Sequence, residues 1–132
     1  MELRMESMKT ATNAYQSVQI DAAVLGASPH ELIAKLLSKA IDSIEEAKGH
    51  ILEGDIAAKA QCIKIATSII ADGLRSCLNM EAGGEIAANL DALYDYMLRQ
   101  LLKAHAENNA AILDEVASLL REIKLGWDGI KP

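Results

Sequence analysis

Three histidines and two cysteines are the side chains of this sequence best suited to holding a metal or attacking a carbon centre. A di-metal carboxylate site in a helical bundle needs Glu-x-x-His on two helices and a further Glu on each of the other two. The residues three places before His30, His50 and His105 are Ala27, Ala47 and Leu102, so that constellation cannot be assembled. All three histidines read as surface or helix-boundary residues. Cys62 and Cys77 fall 15 residues apart on one predicted helix. At 1.5 Å per residue they stand roughly 22 Å apart, beyond the reach of a disulfide. They read as buried thiols of a reducing compartment, and burial without a histidine partner leaves a thiol inert. Gly83-Gly84-Glu85 follows a helix rather than a strand, and no Gly-Lys-Ser/Thr comes after it. It is a helix break and not a phosphate loop. No nucleophile elbow is present. The expectation is a protein with no catalytic residues, no metal and no cofactor.

The elements that carry these residues are helices. The chain has 132 residues, the size of one domain. It is 51% apolar and only 3% aromatic, with no Phe, two Pro and eight Gly. Too few rings and turn residues remain for a many-stranded fold. Net charge is −6, which disfavours nucleic acid as a partner. No run of 18 apolar residues exists, so no membrane insertion is expected. Residues 1–6 carry acids and no apolar core, unlike a signal peptide, and the expected location is cytoplasmic.

Residues 1–27 form an N-terminal arm or short extra helix, and residues 28–132 a four-helix domain. Ser28-Pro29-His30-Glu31 is a capping box with proline at the first helical position. Leu32, Ile33, Leu36, Leu37, Ala40, Ile41, Ile44, Ala47 and Ile51 follow at helical spacing. Gly54 stops this helix and Asp55 caps the next. The second helix runs from about Ile56 to Leu78 on a stripe of Ile56, Ile63, Ala66, Ile70, Leu74 and Cys77. The third begins near Glu85 and runs to about Ala106 on Ile86, Leu90, Leu93, Met97 and Leu101. Asn109 caps a fourth, with Ile112, Leu113, Val116, Leu119, Leu120, Ile123 and Trp127. Glu31 with Lys35, and Asp95 with Arg99, are spaced for i,i+4 ion pairs. Short links between four long helices predict an all-α, antiparallel up-down-up-down four-helix bundle.

Two helices carry more apolar surface than a single neighbour needs. On helix two, Cys62, Ile65, Ile69 and Gly73 form a second stripe beside the main one. On helix three, Tyr94, Leu98 and Leu102 widen the sector. A helix that touches two neighbours buries a wide sector as ordinary core. The same surplus could instead line an open groove for a partner's amphipathic segment, with Tyr15 on the arm as its plug. The residues expected to bind a partner are Tyr15, Cys62, Ile65, Ile69, Leu98 and Leu102. The alternative is a structural or adaptor bundle that homodimerises through the surplus face.

The ordered set Asn13-Ala14-Tyr15-Gln16, Ala27-Ser28-Pro29-His30-Glu31-Leu32-Ile33, Glu53-Gly54-Asp55 and Gly83 to Met97 resembles the FliS family of flagellar secretion chaperones. The pattern from Leu113-Asp114-Glu115-Val116 to Trp127 continues the resemblance, which spans about residue 11 to 130. Leu37-Ser38-Lys39 departs from the family's usual Tyr-Asp pair, a surface detail of helix one. The resemblance implies a cytoplasmic helical bundle that binds the disordered C-terminal segment of flagellin. Holding that segment prevents premature polymerisation and keeps the subunit competent for flagellar type III secretion. It further implies contacts with a flagellar export gate component and, in some lineages, a flagellar regulator.

Overall fold

The computed structural model describes residues 28–130. The arm proposed for residues 1–27, with Tyr15, lies outside the described residues, as do the last two. Four helices follow one another: α1 (Pro29–Glu53), α2 (Ile56–Ser68), α3 (Met80–Glu107) and α4 (Ala110–Asp128). A π-helical segment, Ile69–Arg75, extends α2. No strand occurs among the described residues.

The helix ends follow from local chemistry. The Ser28 hydroxyl accepts from the Glu31 amide at 3.1 Å, with Pro29 in the first turn. Gly54 takes the left-handed conformation, φ 77°, and Asp55 accepts from the Ala58 amide at 3.1 Å. Asn108 is also left-handed, φ 52°, a conformation that its short polar side chain tolerates better than most. Asn109 then accepts from the amides of Ala111 and Ile112. These two-residue links make consecutive helices antiparallel.

The helices form a ring in which α1 packs on α2 and α4, α4 on α3, and α3 on the π segment and α2. The core is aliphatic, with Trp127 and Tyr94 as its only large rings among the described residues. On α3 the buried line is Ala87, Leu90, Tyr94, Met97, Leu101 and Ala104. Steps of three and four residues keep these side chains on one seam. That seam is rotated from the predicted stripe, leaving Ile86 and Leu93 half-buried and taking Tyr94 fully into the core. Tyr94 is therefore core and not part of an open flank.

Two further boundaries differ from the sequence expectation. Helix two does not continue as α-helix to Leu78. From Ile69 its hydrogen bonds reach five residues back, as Ser76 N–H to Ala71 C=O at 3.2 Å. The wider turn keeps Ile70 and Leu74, four apart, in line on the core. Gly73 lets this thicker segment approach α1, since a Cβ there would sit 3.3 Å from Leu36. Helix three gains a leading turn from Met80, capped by Asn79, whose side chain accepts from the Ala82 amide at 3.0 Å. Gly84, at φ 53° and ψ −130°, separates that turn from the main helix. Here the positive φ explains the glycine directly.

Candidate partner-binding groove

α1 and α4 are held by several directional contacts. His30 and Trp127 stack with ring centroids 4.9 Å apart. His30 Nε2–H donates to the Trp127 carbonyl at 2.8 Å, and Trp127 Nε1–H donates to the His30 carbonyl at 2.9 Å. Farther along, Arg121 bonds Glu45 at 2.8 Å, and Lys48 pairs with Glu45 and Asp114. Partial burial alone would raise the Glu45 carboxyl, but bonds from Arg121 and Lys48 leave it below its ordinary value.

α2 and α3 meet differently. Their upper parts are joined through the π segment, where Arg75 bonds Asp91 at 2.8 Å and Asp95 at 3.1 Å. Asp95 also pairs with Arg99 at 3.1 Å, as its spacing predicted, whereas Glu31 and Lys35 both face solvent. Their lower ends are joined by Lys59, which is fully buried. Its ammonium donates to the His105 carbonyl at 3.0 Å and to the Asn108 side-chain oxygen. A buried cation is tolerated there because it satisfies carbonyl groups at the negative end of α3. Between these two ties the direct α2–α3 contact is thinner than either contact of α1.

The gap is a groove of about 530 Å³. Its apolar lining is Ala60 and Ile63 from α2 with Leu98 and Leu102 from α3. Lys64, Thr67, Ser68 and His105 supply the polar lining. Leu102 is 70% exposed, and Leu98 is half-buried against the core. The groove's volume falls within the range of small-molecule sites, but with Leu102 largely in water it does not enclose an occupant, which suits the side chains of a docked segment.

The structure brings Leu98 and Leu102 together in this groove, but not with the three residues expected from helix two. Cys62, Ile65 and Ile69 occupy the face of α2 nearly opposite the groove-lining Ala60, Lys64 and Thr67, by the 100° step of a helix. Cys62 faces α1: it is 7% exposed, and its S–H donates to the Glu46 carboxylate at 3.7 Å. Burial, and then that carboxylate, push its thiol above the usual range and keep it protonated. Cys62 is thus core rather than open surface. Ile65 is half-buried, and Ile69 is half-buried against the core, both on the α1 side of α2. The sequence reading missed Ala60, Ile63, Lys64 and His105 as groove residues. Ile63 is buried in the core, as its stripe predicts, and also lines the groove; a helical wheel gives no sign of where α2 and α3 part. His30 and Trp127, read separately as a boundary residue and a core residue, proved to be mutual partners.

Among the described residues no group of three or more His, Cys, Asp or Glu is arranged to hold a metal. No helix among them is long and apolar enough to cross a membrane.

The family model described as "Flagellar protein FliS" matches residues 11–132. The chain is 41% identical to the flagellar secretion chaperone FliS of Vibrio cholerae, over 95% of this chain and 91% of the relative. It is 43% identical to the protein of the same name from Salmonella typhimurium, over 90% and 88%. With the flagellar secretion chaperone FliSB of Pseudomonas aeruginosa it shares 44% identity, over 96% and 98%. An aliphatic helical bundle with an open groove accords with a family that holds other proteins and does not transform substrates. The chain belongs to the FliS family, a family of flagellar secretion chaperones and not of enzymes.

Proposed function

We propose that this protein is a cytoplasmic export chaperone for flagellin. It binds the disordered C-terminal segment of the subunit, prevents premature polymerisation and keeps flagellin competent for flagellar type III secretion. The observation that carries this reading is the groove between α2 and α3. It places the exposed Leu102 beside the half-buried Leu98 and the buried Ile63 in one concave apolar surface. Apolar grooves of this kind take the apolar face of a partner segment as it orders. The half-buried Ile65 and Ile69 offer a second strip, on the α1 side of α2, for a segment that wraps the bundle. A disordered chain can cover such separated surfaces, and ordering it costs roughly 2–5 kcal/mol of the gross contact energy. The resulting moderate affinity suits a chaperone that must release its cargo. Its further partners on this reading are a flagellar export gate component, to which the cargo is handed over, and, in some lineages, a flagellar regulator.

The test is co-purification with flagellin and with flagellin lacking its C-terminal segment. Full-length flagellin should be retained and the truncated protein lost. Equal recovery of the two would overturn the reading. Light scattering over a concentration series separates this function from that of an adaptor that dimerises through the same surface.

A further inference from the structure

The charge around the groove runs against that of the chain. The whole sequence has 19 acidic and 13 basic residues. Yet α2 and its continuation contain no Asp or Glu from Ile56 to Ala71, and α3 has none from Tyr96 to Ala106. Those two stretches carry Lys59, Lys64, Arg99 and Lys103, and they supply every residue lining the groove. Two of the cations are already engaged, Lys59 with α3 and Arg99 with Asp95. Lys64 is exposed on the groove wall. Facing it across the groove is the α3 wall, where His105 contributes a ring whose Nδ1 has no hydrogen-bond partner. Lys59 fixes that position by gripping the His105 carbonyl.

Resting on the flagellin reading above, we propose that the groove selects an acidic amphipathic stretch of the flagellin segment. The aliphatic face of that stretch covers Ile63, Leu98 and Leu102, and a carboxylate beside the face pairs with Lys64. The aliphatic floor provides most of the binding but little choice among apolar segments. A cation on the rim, with no acid on either wall, sets which face of the segment enters and repels basic alternatives. The local charge also raises the encounter rate of an acidic segment with a chain whose net charge would otherwise repel it.

The probes are a peptide spanning the flagellin C-terminal segment and a second with every Asp and Glu changed to the amide. Each is titrated into the full chain and into Lys64→Gln and Lys64→Glu, with affinity read by calorimetry and location by amide chemical shifts. Lys64→Gln should weaken the acidic peptide about 3-fold and Lys64→Glu about 10-fold, from the modest strength of a rim ion pair and its reversal. The amide peptide should bind all three proteins within about 2-fold, and raising the salt should narrow every difference. Groove amides of residues 60–68 and 98–105 should move on binding. The proposal is overturned if Lys64→Glu binds the acidic peptide as wild type does. It is equally overturned if the groove amides stay still because residues 1–27 or a second copy occupy it. If neither peptide binds the wild-type chain at any site, the flagellin reading itself falls.

Discussion

The α1–α4 seam and the α2–α3 seam are built from the same aliphatic residues, yet one is locked and the other is open. Along α1–α4, a stacked ring pair with two reciprocal hydrogen bonds closes one end, and the Glu45 ion pairs close the middle. Along α2–α3, Arg75 and Lys59 supply directional contacts towards the two ends. The stretch between them is left to Leu98 and Leu102, one of them largely in water. The difference shows how a small bundle can keep an apolar surface exposed without collapsing on it. Directional ties run along the α1–α4 side, while the α2–α3 side is tied towards its ends and held apart between them.

The largest test of that division is at the locked seam. Trp127→Ala removes a fully buried ring, its stacking on His30 and an indole hydrogen bond. It should cost about 3–5 kcal/mol in chemical denaturation. A loss below about 1 kcal/mol would show that the clasp does not carry the stability assigned to it.

The neighbouring pair Leu101 and Leu102 sharpens the contrast within one helix. Leu101 is fully buried, and Leu101→Ala should cost about 2–5 kcal/mol. Leu102→Ala should change stability by no more than about 0.5 kcal/mol, as expected of an exposed position. It should instead weaken binding of the flagellin C-terminal peptide. If Leu102→Ala unfolds the bundle, the groove is core and the comparison fails.

Ile69→Asp falls between these. Its side chain is half-buried against the core, on the face of α2 away from the groove. Introducing a carboxylate there should cost about 1–3 kcal/mol. Circular dichroism then separates a folded variant with impaired flagellin binding from one that has simply lost its helices.

The smallest effect concerns pH. The Glu45 carboxyl has a lowered native value, so its ion pairs stabilise the fold fully above the ordinary value of 4.5. That contribution fades as pH falls through the lower native value, because the unfolded chain then binds the proton first. Glu45→Gln should therefore be less stable than wild type at neutral pH, and the gap should shrink on acidification. A constant gap between about pH 7 and pH 3 would show that Glu45 acts by packing and not by charge.

Much of the fold was legible because it rests on local rules. Ser28, Gly54, Asp55 and Asn109 occupy the capping roles their types prescribe, and the stripes of α1 and α4 lie on the core or against it. The groove was only half legible. Leu98 and Leu102 stood out as surplus on α3, but the surplus on α2, the core thiol Cys62 with the half-buried Ile65 and Ile69, lies on the face away from the groove. A helical wheel measures the width of an apolar sector. It does not say which neighbour covers which edge. The acid-free stretches beside the groove were visible in the sequence, but they gain meaning only when α2 and α3 are set side by side.

The sequence by itself thus determined the helices, the start of α1, the helix limits at the first and third connections, the antiparallel order and the family, since each depends on residues close together along the chain. The rotation of α3 that buries Tyr94, the π turn that brings Arg75 to Asp91, and the His30–Trp127 clasp were decided by tertiary structure alone. Each depends on how far apart two helices stand, and that spacing is set jointly by side chains distant in sequence. The open groove has the same origin: it exists because Lys59 and Arg75 fasten α2 to α3 at two levels and leave the span between them unfilled.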